Sequence, residues 1–257
     1  MHGSRRQIAV VVAALFNVGL NALAGAGLLF DTQTGAVSDA NPTGVTPAGW
    51  AFSIWSVIFV GVLVFAAWQA APSRREARYD RLGAPFVAAN VFNGLWQIPW
   101  TQAWFGVSAL VIAGILGSLV WLYVRLDALG LRGAERWALG VPVSLFLAWV
   151  TVAAPLNVTI WLQSIGWTSM SPLWPAALVL AVVGIGVVLL LRTGDIAAAL
   201  VFLWAYAAIF VAHPDNTALI AVLTVGALSV VAAALTGARR HSLWPTAHAI
   251  SGHAASG

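Results

Sequence analysis

The chain has 257 residues, of which 61% are hydrophobic and only 8% are charged, and its formal net charge is +4. So few charged side chains cannot cover a soluble protein of this length, and the composition therefore excludes a water-soluble globule. The sequence contains no cysteine and no lysine. Disulfides, cysteine-ligated metals and a retinal Schiff base are excluded as well.

Apolar runs of about 20 residues, the length that crosses a lipid bilayer, follow one another along the chain. Such long runs predict helices rather than barrel strands, because a backbone in lipid must satisfy its hydrogen bonds internally. We therefore predict an all-α integral membrane protein with eight transmembrane helices. These helices lie near residues 7–30, 48–70, 84–104, 106–124, 137–161, 173–191, 195–212 and 216–236.

The placement of arginine agrees with eight crossings. All 12 basic residues are arginines, and eight crossings put every one of them on the same side of the membrane. The opposite side carries Asp31, Asp39 and Asp215. Because positive charge is retained in the cytoplasm, the pattern predicts that both termini are cytoplasmic. Arg5 and Arg6 ahead of an apolar stretch leave open the removal of an N-terminal signal segment.

The broader composition indicates where the protein resides and what it does not bind. Its richness in alanine, valine and arginine favours a bacterial inner-membrane protein in contact with the lipid bilayer. The arginines form no cluster on a soluble domain, so nucleic acid is not an expected partner.

Three predicted helices carry an aromatic or amide stripe. The stripes are Phe52, Trp55 and Phe59 in the second helix, Asn90, Asn93 and Gln97 with Trp96 beside them in the third, and Trp149, Ala153 and Asn157 in the fifth. Spacings of three and four residues place each stripe on one helix face. At ~1.5 Å per residue, the stripes reach a common depth in the outer half of the membrane.

Two interpretations of these stripes remain open. They are either packing surfaces, in which amides bond between helices and indole rings fill gaps, or the walls of a cavity for a large planar apolar ligand. No ionisable residue lies deep in a predicted helix, so the sequence offers neither a proton relay nor a catalytic constellation.

Three short motifs add a second line of inference, because their order, spacing and helix placement agree. They are PAGWAFSIWSVIF at 47–59, NGLW at 93–96 and WVTVAAPLN at 149–157. These motifs resemble the hallmarks of the tryptophan-rich sensory protein family, also called the translocator protein family. The resemblance covers residues 7–163 and implies a five-helix bundle whose pocket is closed by the first outer loop, residues 31–47. Phe52 and Trp55 are three residues apart where the family has four.

The resemblance also implies a function. It points to a membrane binding protein or sensor for a porphyrin-like or other hydrophobic small ligand. No cofactor is required, and a porphyrin or heme-like tetrapyrrole is the candidate bound molecule. A transporter of a hydrophobic molecule and a light-dependent tetrapyrrole-modifying enzyme remain alternatives. Carried over by motif position, the ligand-binding residues are Trp55, Asn93, Trp96, Trp149, Ala153 and Asn157.

The same resemblance implies a domain organisation and a homodimer. We expect a translocator-protein-like five-helix membrane domain at 1–163, three additional transmembrane helices at 164–236, and a disordered cytoplasmic tail at 237–257. The three additional helices are not part of the usual family fold. For the homodimer, Gly94 and Ala89 offer small residues at which helices can pack closely.

Overall fold

The structure, a computed structural model, describes residues 2–30, 32–167 and 173–240. Every regular element in these ranges is helical. The helices are α1 (Gly3–Gly25), α2 (Thr34–Ala40), α3 (Ile54–Ala70), α4 (Asp80–Thr101), α5 (Phe105–Asp127), α6 (Gly133–Glu135), α7 (Val141–Ser164), α8 (Trp174–Thr193), α9 (Ile196–Ala212) and α10 (Thr217–Arg240). A 3-10 turn at Gly49–Ser53 leads into α3, and a π-helical turn at Arg136–Gly140 leads into α7.

The prediction of an all-α membrane protein is confirmed. Among the described residues, the six helices that are long and apolar enough to cross a membrane are Gly3–Gly25, Gly49–Ala70, Phe105–Asp127, Gly133–Ser164, Trp174–Thr193 and Thr217–Arg240. The two other predicted crossings coincide with α4, which carries several amides, and with α9, which has only 17 residues. The number of eight crossings therefore stays a prediction.

Several helix ends differ by a few residues from the predicted boundaries, and two of these differences have a clear cause or consequence. The first helix ends at Gly25 rather than near residue 30, because Gly27 takes a φ of 69°, a left-handed conformation that does not continue a helix. Helix α10 continues to Arg240, so residues 237–240 of the predicted tail are helical. The rest of that tail, residues 241–257, lies outside the described residues.

Glycines bring the first helices into close contact. A Cβ atom placed on Gly94 of α4 would lie 2.8 Å from the Phe16 ring on α1, and one on Gly61 of α3 would lie 3.1 Å from Pro142. These positions let α4 pack against α1, and α3 against α7. Gly94 and Ala89, which suggested a homodimer, are both buried within the single chain. They therefore give the predicted dimer no support.

Charged side chains join the helix ends on the arginine-rich side. The guanidinium of Arg6, with none of its side chain exposed, donates to the Asp80 carboxylate across 2.9 Å. The buried phenol of Tyr79 donates to the Glu135 carboxylate. Burial, reinforced by this hydrogen bond, raises the pKa of Tyr79. These contacts place three parts of the chain at one end of the bundle: the start of α1, the connection between α3 and α4, and α6, which precedes α7.

A buried carboxylate at the same end attaches α9 to two earlier helices. Tyr123 of α5 and Ser144 of α7 both donate their hydroxyl hydrogens to Oδ2 of Asp195, across 2.9 Å and 2.5 Å. The other oxygen of Asp195 accepts from the backbone N–H of Ala198 at 3.1 Å, which caps the start of α9. The C-terminal helices are therefore joined to the first five through a specific polar contact.

Candidate functional site

The aromatic stripes of α3 and α7 face each other. The ring of Trp55 lies edge-on to Trp149, with a centroid distance of 6.4 Å, and edge-on to Phe146 at 5.8 Å. Phe52, in the 3-10 turn before α3, makes the same kind of contact with Trp149 at 6.2 Å. Edge-to-face geometry at these distances is favourable, so the rings hold one another in defined orientations.

A cavity lies beside this aromatic contact. Its envelope, with the open solvent at the mouth included, is about 830 Å³. The predicted site residues that line it are Trp55, Asn93, Trp96, Trp149 and Ala153.

Asn157 does not line this cavity. Its side chain is buried and accepts a hydrogen bond from the Ser108 hydroxyl across 2.9 Å, which links α7 to α5. Asn157 follows Trp149 by eight residues. At 3.6 residues per turn, its side chain is therefore rotated by roughly 80° from that of Trp149 around the helix axis. Ala153 is rotated only about 40° from Trp149 on the same basis, so it stays on the cavity face.

The amide stripe of α4 bonds mainly to α1. Asn93 donates to the side-chain oxygen of Asn17, and Asn17 donates to that of Asn90, each across 2.8 Å. Gln97 donates to Asn21 at 2.5 Å. The two interpretations of the stripes thus both apply to α4, because Asn90 and Gln97 serve helix packing while Asn93 also lines the cavity.

The first outer loop covers part of the cavity. Its lining residues are Val45 and Pro47. On the α4 side, the Thr34 hydroxyl of α2 donates to Gln97 across 2.8 Å, and the Trp100 indole donates to the Thr34 carbonyl at 3.0 Å. The loop is therefore fastened to the same helix that presents Asn93.

The loop is also fastened to α9. The backbone N–H of Ala48 donates to the Ala208 carbonyl oxygen across 3.0 Å. A ring nitrogen of His213, at the end of α9, lies 2.9 Å from the Thr46 carbonyl oxygen. Hydrogen bonds among the described residues thus fasten the first outer loop both to α4 and to the end of α9.

The last three helices contribute lining residues that the sequence analysis did not anticipate. They are Leu178, Val179 and Val182 of α8 and Ala205, Tyr206 and Ile209 of α9. Most are aliphatic and indistinguishable in sequence from lipid-facing residues. The available signal was Tyr206, a phenol within the apolar run ALVFLWAYAAIF.

The cavity wall carries polar hydrogens without a protein acceptor. The indole nitrogens of Trp96 and Trp149 and the phenol oxygen of Tyr206 are buried and have no hydrogen-bond partner among the described residues. None of the residues that line the cavity there is an acidic residue, an arginine or a histidine. No group of three or more histidine or acidic side chains that could hold a metal ion occurs in the described ranges.

Helices around a buried aromatic cavity, covered by a loop, define a multi-pass membrane protein with an internal site suited to a small apolar molecule. Comparison with known proteins identifies the family. The model of the TSPO-like protein family matches residues 7–237, so the chain belongs to this family and the match includes the last three helices. The resemblance seen in the three sequence motifs is thereby confirmed.

A relative with a curated description is Protein CrtK of Rhodobacter capsulatus. It is 26% identical over 156 residues, which are 60% of this chain and 93% of the relative. No solved structure matches the chain.

Proposed function

We propose that this protein is a membrane binding protein that senses a porphyrin-like or other hydrophobic small molecule held in the cavity beneath the first outer loop. The observation that carries the proposal is the convergence of Trp55, Asn93, Trp96, Trp149 and Ala153 on one cavity wall. Aromatic walls with a few amides are the lining that a planar apolar ligand requires. Membership of the TSPO-like family supports a ligand-binding or sensing role.

The character of the lining favours binding over chemistry. Its polar groups among the described residues are amides, indoles and a phenol, and none of the lining side chains there is acidic or basic. General acid–base catalysis needs a side chain that exchanges a proton near the working pH. Carboxylate, imidazole and amine side chains are absent from the described wall, whereas shape and hydrogen bonding are sufficient for recognition.

We further propose that all eight long helices cross the inner membrane of a bacterium, with both termini in the cytoplasm. The contacts between Arg6 and Asp80 and between Tyr79 and Glu135 join helix ends on the arginine-rich side. The loop contacts of Thr34 with Gln97 join ends on the opposite side. With positive charge retained inside, the cavity mouth faces outward.

Titration of the purified full-length protein with protoporphyrin tests the binding proposal. The ligand's own absorbance band is followed, because that signal does not depend on the number of tryptophans left in a variant. We expect saturable binding that is weakened at least ten-fold in Trp149→Ala. The matched control is Trp121→Ala, since the Trp121 side chain lies outside the cavity and the residue is 46% exposed.

Each outcome discriminates between functions. Linear uptake that is the same in wild type, both variants and protein-free micelles contradicts the binding proposal. Saturable binding accompanied by ligand flux into proteoliposomes indicates the transporter instead. If the porphyrin band disappears under light with the wild type but persists with Trp149→Phe, the result indicates the light-dependent enzyme.

A further inference from the structure

The phenol of Tyr206 is a polar group in the cavity wall that neither the helix packing nor the family motifs explain. It lies on α9, its side chain lines the cavity, and the residue is only 2% exposed. Its hydroxyl has no hydrogen-bond partner among the described residues. A buried hydroxyl without a partner is destabilising, so a hydrogen bond to a bound molecule would compensate for its burial in an otherwise apolar helix.

The surroundings of Tyr206 fix the ring in place. One edge of the ring lies against α10, where a Cβ atom on Gly226 would be 3.7 Å from Cε2 of Tyr206. Its ring centroid is 6.3 Å from that of Phe202, one turn earlier on α9. Because its neighbours there are a glycine and a phenyl ring, they offer the hydroxyl no side-chain acceptor.

A second donor belongs to the same wall. The indole N–H of Trp149 is buried and lacks an acceptor in the described part of the chain. Trp149 comes from α7, against which α9 packs. With the unpaired indole N–H of Trp96 on α4, three helices each contribute a neutral donor to one cavity. Trp149 is the donor on the helix that packs against α9.

The absence of cationic side chains from the lining restricts which ligand groups these donors can bind. An ionised carboxylate taken into an apolar cavity must be paired with a cation, or its desolvation is not compensated. None of the cavity-lining residues in the described ranges is arginine or histidine, and the chain contains no lysine. A neutral carbonyl or ether oxygen needs only a donor.

We propose that the part of the ligand held inside the cavity is a neutral apolar body carrying a hydrogen-bond acceptor oxygen, and that Tyr206 of α9, with Trp149, recognises that oxygen. This inference rests on the proposed binding function. It assigns the C-terminal helices a direct role in selecting the ligand. Any ionised group of the ligand must remain at the mouth, beneath the outer loop.

Two probes of the same shape isolate the acceptor. Fluorene and 9-fluorenone share three fused rings and differ by one carbonyl group, and fluorene-9-carboxylate adds a charge. Binding of each to the full-length protein in lipid nanodiscs is measured by equilibrium dialysis, with uptake by empty nanodiscs subtracted. We expect 9-fluorenone to bind about ten-fold more tightly than fluorene, and the carboxylate to bind more weakly than either.

The variants assign the effect to one hydroxyl. Tyr206→Phe should reduce the preference for the ketone to about two-fold or less while leaving the affinity for fluorene unchanged. Trp149→Phe should reduce the preference in part. Tyr123→Phe is the matched control, because it removes a phenol bonded to Asp195 outside the cavity, and its preference should equal that of the wild type.

Three results overturn the inference. Equal binding of ketone and hydrocarbon by the wild type, or an unchanged preference in Tyr206→Phe, shows that Tyr206 does not recognise an acceptor. Tighter binding of the carboxylate shows that the site selects an anion. Failure of all three probes and of protoporphyrin to bind saturably contradicts the proposed binding function itself.

Discussion

The indole N–H of Trp204 on α9 donates a hydrogen bond to the backbone carbonyl oxygen of Ala51, 153 positions earlier, across 3.1 Å. The same indole is packed edge-on against Trp50 with a centroid distance of 4.6 Å. Both partners belong to the 3-10 turn that sets the start of α3 and hence the position of Trp55. Helix α9 therefore supports the cavity from outside as well as lining it.

The outer loop should be displaced by a side chain at Gly44. A Cβ atom there would lie 2.3 Å from Cγ of Pro175 in the first turn of α8, and the rigid proline ring cannot move aside. We expect Gly44→Ala to raise the rate of proteinase K cleavage within residues 32–48 several-fold. Gly35→Ala is the control, because its Cβ would be no closer than 4.0 Å to a neighbour. Equal rates in both variants would contradict the contact.

The amide network centred on Asn17 should contribute measurably to stability. Asn17 donates to Asn90 and accepts from both Asn93 and Asn21. Hydrogen bonds between membrane helices average ~0.6 kcal/mol each, so Asn17→Leu should lower the free energy of unfolding by roughly 1–2 kcal/mol. The measurement is SDS-driven unfolding in mixed micelles.

The control for this network is Ser229→Ala. The exposed Ser229 hydroxyl bonds only to the Val225 carbonyl of its own helix, and its removal should leave stability unchanged. If Asn17→Leu is as stable as this control, the network does not stabilise the bundle.

Periodicity and residue spacing predict the helices and the aromatic and amide residues that α3, α4 and α7 contribute to the cavity wall. Trp149 and Ala153 were found because they are four residues apart on one helix face, and Trp55 because its stripe lies at the same depth. Asn157 fits the same spacing, yet its accumulated rotation turns it to Ser108 on α5. Sequence spacing alone does not determine which neighbour occupies that side.

The contribution of the last three helices is not readable from sequence. Val179 and Ile209 line the cavity, but an aliphatic side chain faces lipid or a cavity with the same apolar character. Only the packing of α9 on α7 decides between the two. Tyr206 is the exception, because a phenol in an apolar helix must find a partner.

Asp195 should be the polar residue whose loss most weakens the attachment of α9. Asp195→Ala removes the helix cap and leaves the Tyr123 and Ser144 hydroxyls without their acceptor. We expect a loss of about 2–4 kcal/mol of unfolding free energy. Asp195→Asn keeps one acceptor oxygen and should lose about half as much. Thermal unfolding of the two variants in the same detergent checks this order, and equal midpoints would contradict it.

The close backbone contact between α8 and α10 at Gly237 should not tolerate a methyl group. A Cβ atom on Gly237 would lie 2.0 Å from the Leu190 carbonyl oxygen and 2.9 Å from Cα of Gly194. Because these are backbone atoms, relief requires the two helices to separate, and overpacking of this kind costs about 1–3 kcal/mol. At roughly 2–4 °C per kcal/mol for a chain of this size, Gly237→Ala should lower the Tm by several degrees.

Gly184 provides the matched substitution. It lies in the middle of α8, and apart from its chain neighbours and the nearby backbone of α8 itself, no heavy atom of the described residues lies within 4 Å of where its Cβ would be. Gly184→Ala should therefore leave the Tm unchanged or raise it slightly, since alanine favours a helix by up to ~1 kcal/mol over glycine. Equal midpoints for the two variants would show that α8 and α10 are further apart at Gly237 than the structure places them. A fall confined to Gly237→Ala locates the tight contact at the end of the helices where Asp195 attaches α9.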